Sequence, residues 1–237
     1  MRPTIVLVHG AFAESSSWDP VVDRLLDAGH PVVAVANPLR GVAADAAAVS
    51  DHIRAIEGPI VLAGHSYGGA VITNVDPEAG EIVGLVYVAA FAPLPGDSCF
   101  ELSAVFPGST LGDSLQPIPR ADGTTDLTIV QERFHEQFCA DVPAPQAVRM
   151  AATQRPVTQE ALVEPSGERS LWRELPSWFV FGEEDRNIPK AVEHFMAERA
   201  GAHRTIEIPG ASHAIPVAHP GTTAGLILDA AALRAAA

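Results

Sequence analysis

The chain has 237 residues, 47% hydrophobic and 19% charged, which is the balance of a globular domain with room for a sizeable core and not that of a disordered chain. Its net charge of −14 argues against nucleic acid and anionic membrane as partners. The cysteines, Cys99 and Cys139, form no metal-ligand spacing, so no metal is expected. Two free thiols, a start too short for a signal-peptide core and the lack of a membrane-length apolar run point to a cytoplasmic protein.

In chain order, TIVLVHG (4–10) reads as a buried strand stopped by Gly10. WDPVVDRLLDAG (18–29) reads as a helix capped by Ser17, with Pro20 in its first turn, Val21, Val22, Leu25 and Leu26 on one face, and Gly29 at its end. A strand at 31–37, an alanine-rich helix at 43–58, a strand at 59–64, a helix from 67 to 75 and a strand at 81–90 follow. This alternation is that of a parallel sheet covered on both faces. It returns as strands at 177–182 and 204–210 around a helix at 191–201, and a helix over about 219–235 closes the chain. The rhythm breaks between Ala92 and Leu175, where prolines and short helical patterns, LTIVQERFHEQF (127–138) and PQAVRMAATQ (145–154), predict a lid. The expected organisation is a core from 1–92 and 176–237 with a helical lid at 93–175, before the penultimate strand.

Gly64-His65-Ser66-Tyr67-Gly68 fits G-x-S-x-G between a strand and a helix. A serine on so sharp a turn needs glycine two residues away on either side, and the turn presents its hydroxyl beside the next helix's N-terminus. The competing reading is a glycine-rich turn that only packs a helix on a strand. A serine nucleophile needs a base and an orienting acid. Of nine histidines, His9 and His65 lie in the glycine-flanked turns and read as structural, and most others fall on exposed helices or helix ends. His213, in IPGASHAIP after the last strand, is the candidate base. For the acid, GEED offers Glu183, Glu184 and Asp185, of which Asp185 is preferred, with Asp97 a further alternative. The oxyanion amides are expected from Tyr67 and from HGAF, at Ala11 in preference to Phe12. Phe12, Phe91, Phe134 and Trp172, with Phe106, Phe138 and Met150, are candidates to line an apolar substrate pocket.

With VLVHGAF, GHSYGG, GEEDRNIP and ASHAIP in order, the sequence resembles the α/β-hydrolase superfamily, and within it the small esterases related to plant methyl-ester hydrolases and hydroxynitrile lyases. The resemblance implies six mainly parallel strands, a Ser66–Asp185–His213 triad, Ala11 and Tyr67 as oxyanion amides, and no cofactor. The lyases carry threonine where Gly10 stands and lysine where Ala214 stands, so the resemblance points to hydrolysis. A small-molecule ester is therefore the expected partner. A low-turnover receptor of the same fold and a lyase-like activity are the alternatives, and a homodimer is left open.

Overall fold

The computed structural model describes residues 1–233. In chain order the first half holds β1 (Thr4–Val8), α1 (Asp19–Asp27), β2 (Val32–Val35), α2 (Val42–Ile53), β3 (Pro59–Ser66), α3 (Tyr67–Thr73) and β4 (Glu81–Ala90). The middle holds α4 (Cys99–Ser103), β5 (Leu115–Pro119), β6 (Thr125–Ile129), α5 (Gln131–Phe138), α6 (Ala144–Thr153), β7 (Val157–Thr158) and α7 (Gln159–Val163). The last part holds β8 (Ser177–Gly182), α8 (Lys190–Arg199), β9 (Arg204–Ile208), α9 (Ile215–Ala218) and α10 (Pro220–Ala232). The last two residues of the closing helix expected over about 219–235 lie outside the described residues.

Six strands form one sheet in the order β2-β1-β3-β4-β8-β9, and every pairing in it is parallel. Interior strands such as β1 are buried along their whole length, which is why they read as unbroken apolar runs. The chain goes from β1 outward to β2 and then crosses back to β3, so right-handed crossovers place α1 on one face and α2 on the other. The packing agrees: α1 lies against α10, and α2 against α3. The reversal leaves a crevice beyond the carboxyl ends of β1 and β3, the switch point at which open parallel sheets bind ligands.

The lid departs from an all-helical expectation. Strands β5, β6 and β7 form a second, antiparallel sheet of three strands, joined by α4 to α7. The helix expected over 127–138 divides: Leu127-Thr128-Ile129 belongs to β6, and the helix starts at Gln131. The β-branched residues there favour a strand once a partner strand is at hand. Two details of α1 also differ. Ser17 does not cap it, because its hydroxyl donates to the Glu14 carbonyl at 2.6 Å. Leu26 is exposed, while Val21 and Leu25 face the core. Among the described residues no helix is long and apolar enough to cross a membrane.

Candidate active site

Ser66 stands between β3 and α3 at φ 56° and ψ −124°. A non-glycine residue there is strained, and the surroundings hold it. The β3–β4 register slips between His65 and Ser66, which turns the chain off the sheet. A Cβ at Gly64 would come within 2.5 Å of the Gly68 carbonyl oxygen, the crowding expected for this turn. A Cβ on Gly10 would come within 2.6 Å of the Ser66 Cβ, so the turn after β1 meets the serine turn directly.

The loops after β8 and β9 carry the acid and the base. His213 Nδ1 lies 2.6 Å from Asp185 Oδ2. Asp185 Oδ1 accepts the amides of Asn187 at 2.7 Å and Ile188 at 2.9 Å, so the carboxylate is fixed on both oxygens. Both side chains are almost wholly buried. The structure forms no Ser66–His213 hydrogen bond, and such bonds are often long in unliganded sites. The imidazole is held from behind: Phe138 packs edge-on at 5.0 Å, and His65 Nε2–H donates to the His213 carbonyl at 3.0 Å. That bond places a proton on His65 Nε2, and burial, reinforced by His213, keeps its pKa well below the usual range, so the ring is neutral. His9 is likewise structural: its Nδ1–H donates to the Gly10 carbonyl, its Nε2 accepts the Asn37 amide at 3.0 Å, and burial lowers its pKa to about 4. His9, His65 and His213 are the buried histidines among the described residues.

The other candidate acids are engaged elsewhere. Glu183 pairs with Lys190, Glu184 is exposed, and Asp97 accepts Arg199 at 2.9 Å. Of the two amides offered by HGAF, that of Phe12 is taken by the Arg155 carbonyl at 3.2 Å. Ala11 and Tyr67 both border the cavity beside Ser66. The Tyr67 phenol points away from the reaction centre and donates to Asp45 Oδ2 at 2.9 Å.

The cavity on Ser66 has a volume of about 320 Å³, near the lower end for small-molecule sites. Phe12, Phe91 and Phe106 line it, and none of its lining side chains carries a charge. Four expected residues lie elsewhere: Phe134, Phe138, Met150 and Trp172. Phe134 is fully buried and stacks on Phe138 at 4.9 Å, under the histidine loop. Trp172 donates its indole N–H to the Pro93 carbonyl at 2.9 Å, with Arg199 over its ring. Sequence reasoning missed the wall made by Cys99, Phe100, Leu111, Leu115 and Leu162. A signal for α4 existed in Ser98-x-x-Glu101, which forms a full capping box. Both cysteines are free and buried. Among the described residues no cluster of three or more His, Cys, Asp or Glu side chains could hold a metal ion.

The sheet order, the crossover at the switch point and the strained serine turn together define the α/β-hydrolase class of fold. A family model described as the Alpha/beta hydrolase family matches residues 5–226, and the chain belongs to that family. A pyrethroid hydrolase of Sphingobium wenxiniae is 29% identical over 254 aligned positions, covering 95% of this chain and 86% of the relative. A carbendazim hydrolyzing esterase of a Nocardioides species is 36% identical over 110 residues, 41% of this chain and 46% of the relative. Among solved structures, polyneuridine aldehyde esterase matches with a TM-score of 0.80 at 21% identity, over 97% of this chain and 99% of that one, a likeness of fold.

Proposed function

We propose that the protein hydrolyses small to medium carboxylic esters with an apolar part through an acyl-enzyme on Ser66. The observation that carries this reading is the buried His213–Asp185 pair, 2.6 Å apart, in a molecule whose strained serine borders an uncharged cavity. Family membership and relatives named as hydrolases and esterases support ester hydrolysis in general.

The His213 Nδ1–H donates a hydrogen bond to Asp185, which leaves Nε2 free to accept the Ser66 proton as the hydroxyl attacks the ester carbonyl. Asp185 holds the imidazole and stabilises its charged form. The Ala11 and Tyr67 amides bind the tetrahedral oxygen, and each such donor contributes about 10²–10³ in kcat. His213 then protonates the leaving alcohol, and water repeats the sequence on the acyl-enzyme. No cofactor enters this scheme. The unpaired, buried cysteines suit a reducing cytoplasm.

Position 10 disfavours the lyase alternative, because a side chain there would strike Ser66. Multiple turnover of p-nitrophenyl butyrate separates an enzyme from a low-turnover receptor. Ser66→Ala should lower kcat by several orders of magnitude without unfolding the protein. Turnover by that variant at the wild-type rate would remove the serine mechanism.

A further inference from the structure

Phe12 is a buried aromatic residue held at φ 60°. That backbone region costs a non-glycine residue about 1–3 kcal/mol and persists where surroundings over-determine it. Here the Phe12 amide is tied to the Arg155 carbonyl, in the lid between α6 and β7, at 3.2 Å. Phe12 borders two cavities and is the one residue they share. On one side lies the apolar cavity of about 320 Å³ that holds Ser66. On the other lies a space of about 80 Å³ bordered by Glu14, Ser16, Gln146, Met150 and Thr153. It has room for about two to three waters at ~30 Å³ each, and its walls carry a larger polar share than those of the cavity on Ser66.

We infer that Phe12 is a specificity-determining wall: it closes the apolar cavity against a latent polar subsite, so the site takes esters with one compact apolar arm and rejects arms that are longer or end in a hydroxyl. The inference deepens the ester-hydrolase reading and, for its turnover assays, rests on it. The physical reason is desolvation. An apolar arm leaves water favourably in the cavity on Ser66, whereas a terminal hydroxyl there gives up water among mainly apolar walls in which the polar side chains beside Ser66 are few, chiefly Ser103, Ser109 and Asn187. With the ring removed, the hydroxyls of Ser16 and Thr153 and the Gln146 amide come within the space open to that terminus.

The test compares the wild type with Phe12→Leu, Phe12→Ala and Phe12→Ala/Met150→Trp. Turnover is read as kcat/KM on p-nitrophenyl acetate, butyrate, decanoate and 6-hydroxyhexanoate. Binding of 1-hexanol and 1,6-hexanediol, read by thermal shift, needs no chemistry. Phe12→Ala should improve decanoate and 6-hydroxyhexanoate about tenfold relative to acetate and narrow the hexanol preference by a similar factor. Phe12→Leu should fall between, and Met150→Trp, by filling the second space, should cancel the gain. Unchanged ratios in folded Phe12→Leu or Phe12→Ala would overturn the wall, as would an equal loss on every ester with the alcohol preference intact. If Phe12→Ala does not fold, Phe12→Leu gives the same reading. Failure of the wild type to turn over any ester would sink the catalytic reading, while the alcohol ratios would still decide the wall.

Discussion

Behind the acid, on α8, lies Glu193, a fully buried carboxyl whose oxygens have no full hydrogen-bond partner and meet only a marginal approach of the Ala90 backbone. Burial first, and the Asp185 charge second, push its pKa well above the usual carboxylate range. It is therefore protonated in the fold at a pH where the unfolded chain has released the proton. The sign follows from linkage: the folded state binds more protons, so stability falls as pH rises from the unfolded pKa through the folded one. Glu193→Gln removes that dependence. Its stability, read from melting curves, should gain on the wild type as pH rises above the usual carboxylate range towards neutrality, by up to ~1.4 kcal/mol per pH unit while the wild-type carboxyl stays protonated in the fold. A constant difference across that range would show that Glu193 does not titrate between the two states. At the same scale lie the residues of the proposed triad, of which His213 and Asp185 are hydrogen-bonded at 2.6 Å. Ser66 ends β3, and Asp185 and His213 lie in the loops after β8 and β9, positions that short-range pattern is enough to find.

Single elements link the lid to the core. Glu164, just after α7, accepts the Val42 amide at 2.5 Å and the Ala43 amide at 3.4 Å, closing the N-terminus of α2 from 122 residues away. A carboxylate there satisfies orphan N–H groups and complements the helix dipole. Glu164→Ala should cost about 0.5–2 kcal/mol, the usual worth of a helix N-cap. That corresponds to a few degrees in a calorimetric scan. No change in Tm would show that water replaces the carboxylate at no cost. A second clasp joins the lid to the base: Asp141 accepts the Ser212 hydroxyl and lies 2.8 Å from His219 Nε2, on either side of the loop that presents His213. Neither contact is visible locally, since each joins residues more than 70 positions apart. The strand β6 was hidden for a related reason. Its apolar residues run straight into the helical pattern of α5, and only pairing with β5 and β7 separates the two.

For the whole molecule, charge and cavity act together. The chain carries a net charge of −14, and the cavity on Ser66 presents no compensating cation. A neutral diester should therefore be hydrolysed with a higher kcat/KM than its anionic half-ester, by about tenfold at low salt. The gap should narrow as the Debye length falls from about 30 Å at 0.01 M to 3 Å at 1 M. A ratio that ignores ionic strength would place the discrimination in desolvation alone. By itself the sequence determined the parallel strands, the serine turn and the positions proposed for the acid and the base, because each depends on neighbours a few residues away: apolar periodicity, a glycine on either side of a turn, a loop after a strand. Only the tertiary structure decided the cavity on Ser66, the three-stranded sheet of the lid and the placing of Phe134, Phe138, Met150 and Trp172 away from that cavity. Those features depend on which distant surfaces meet, and an aromatic residue reads the same in a sequence whether it ends in a core or at a pocket wall.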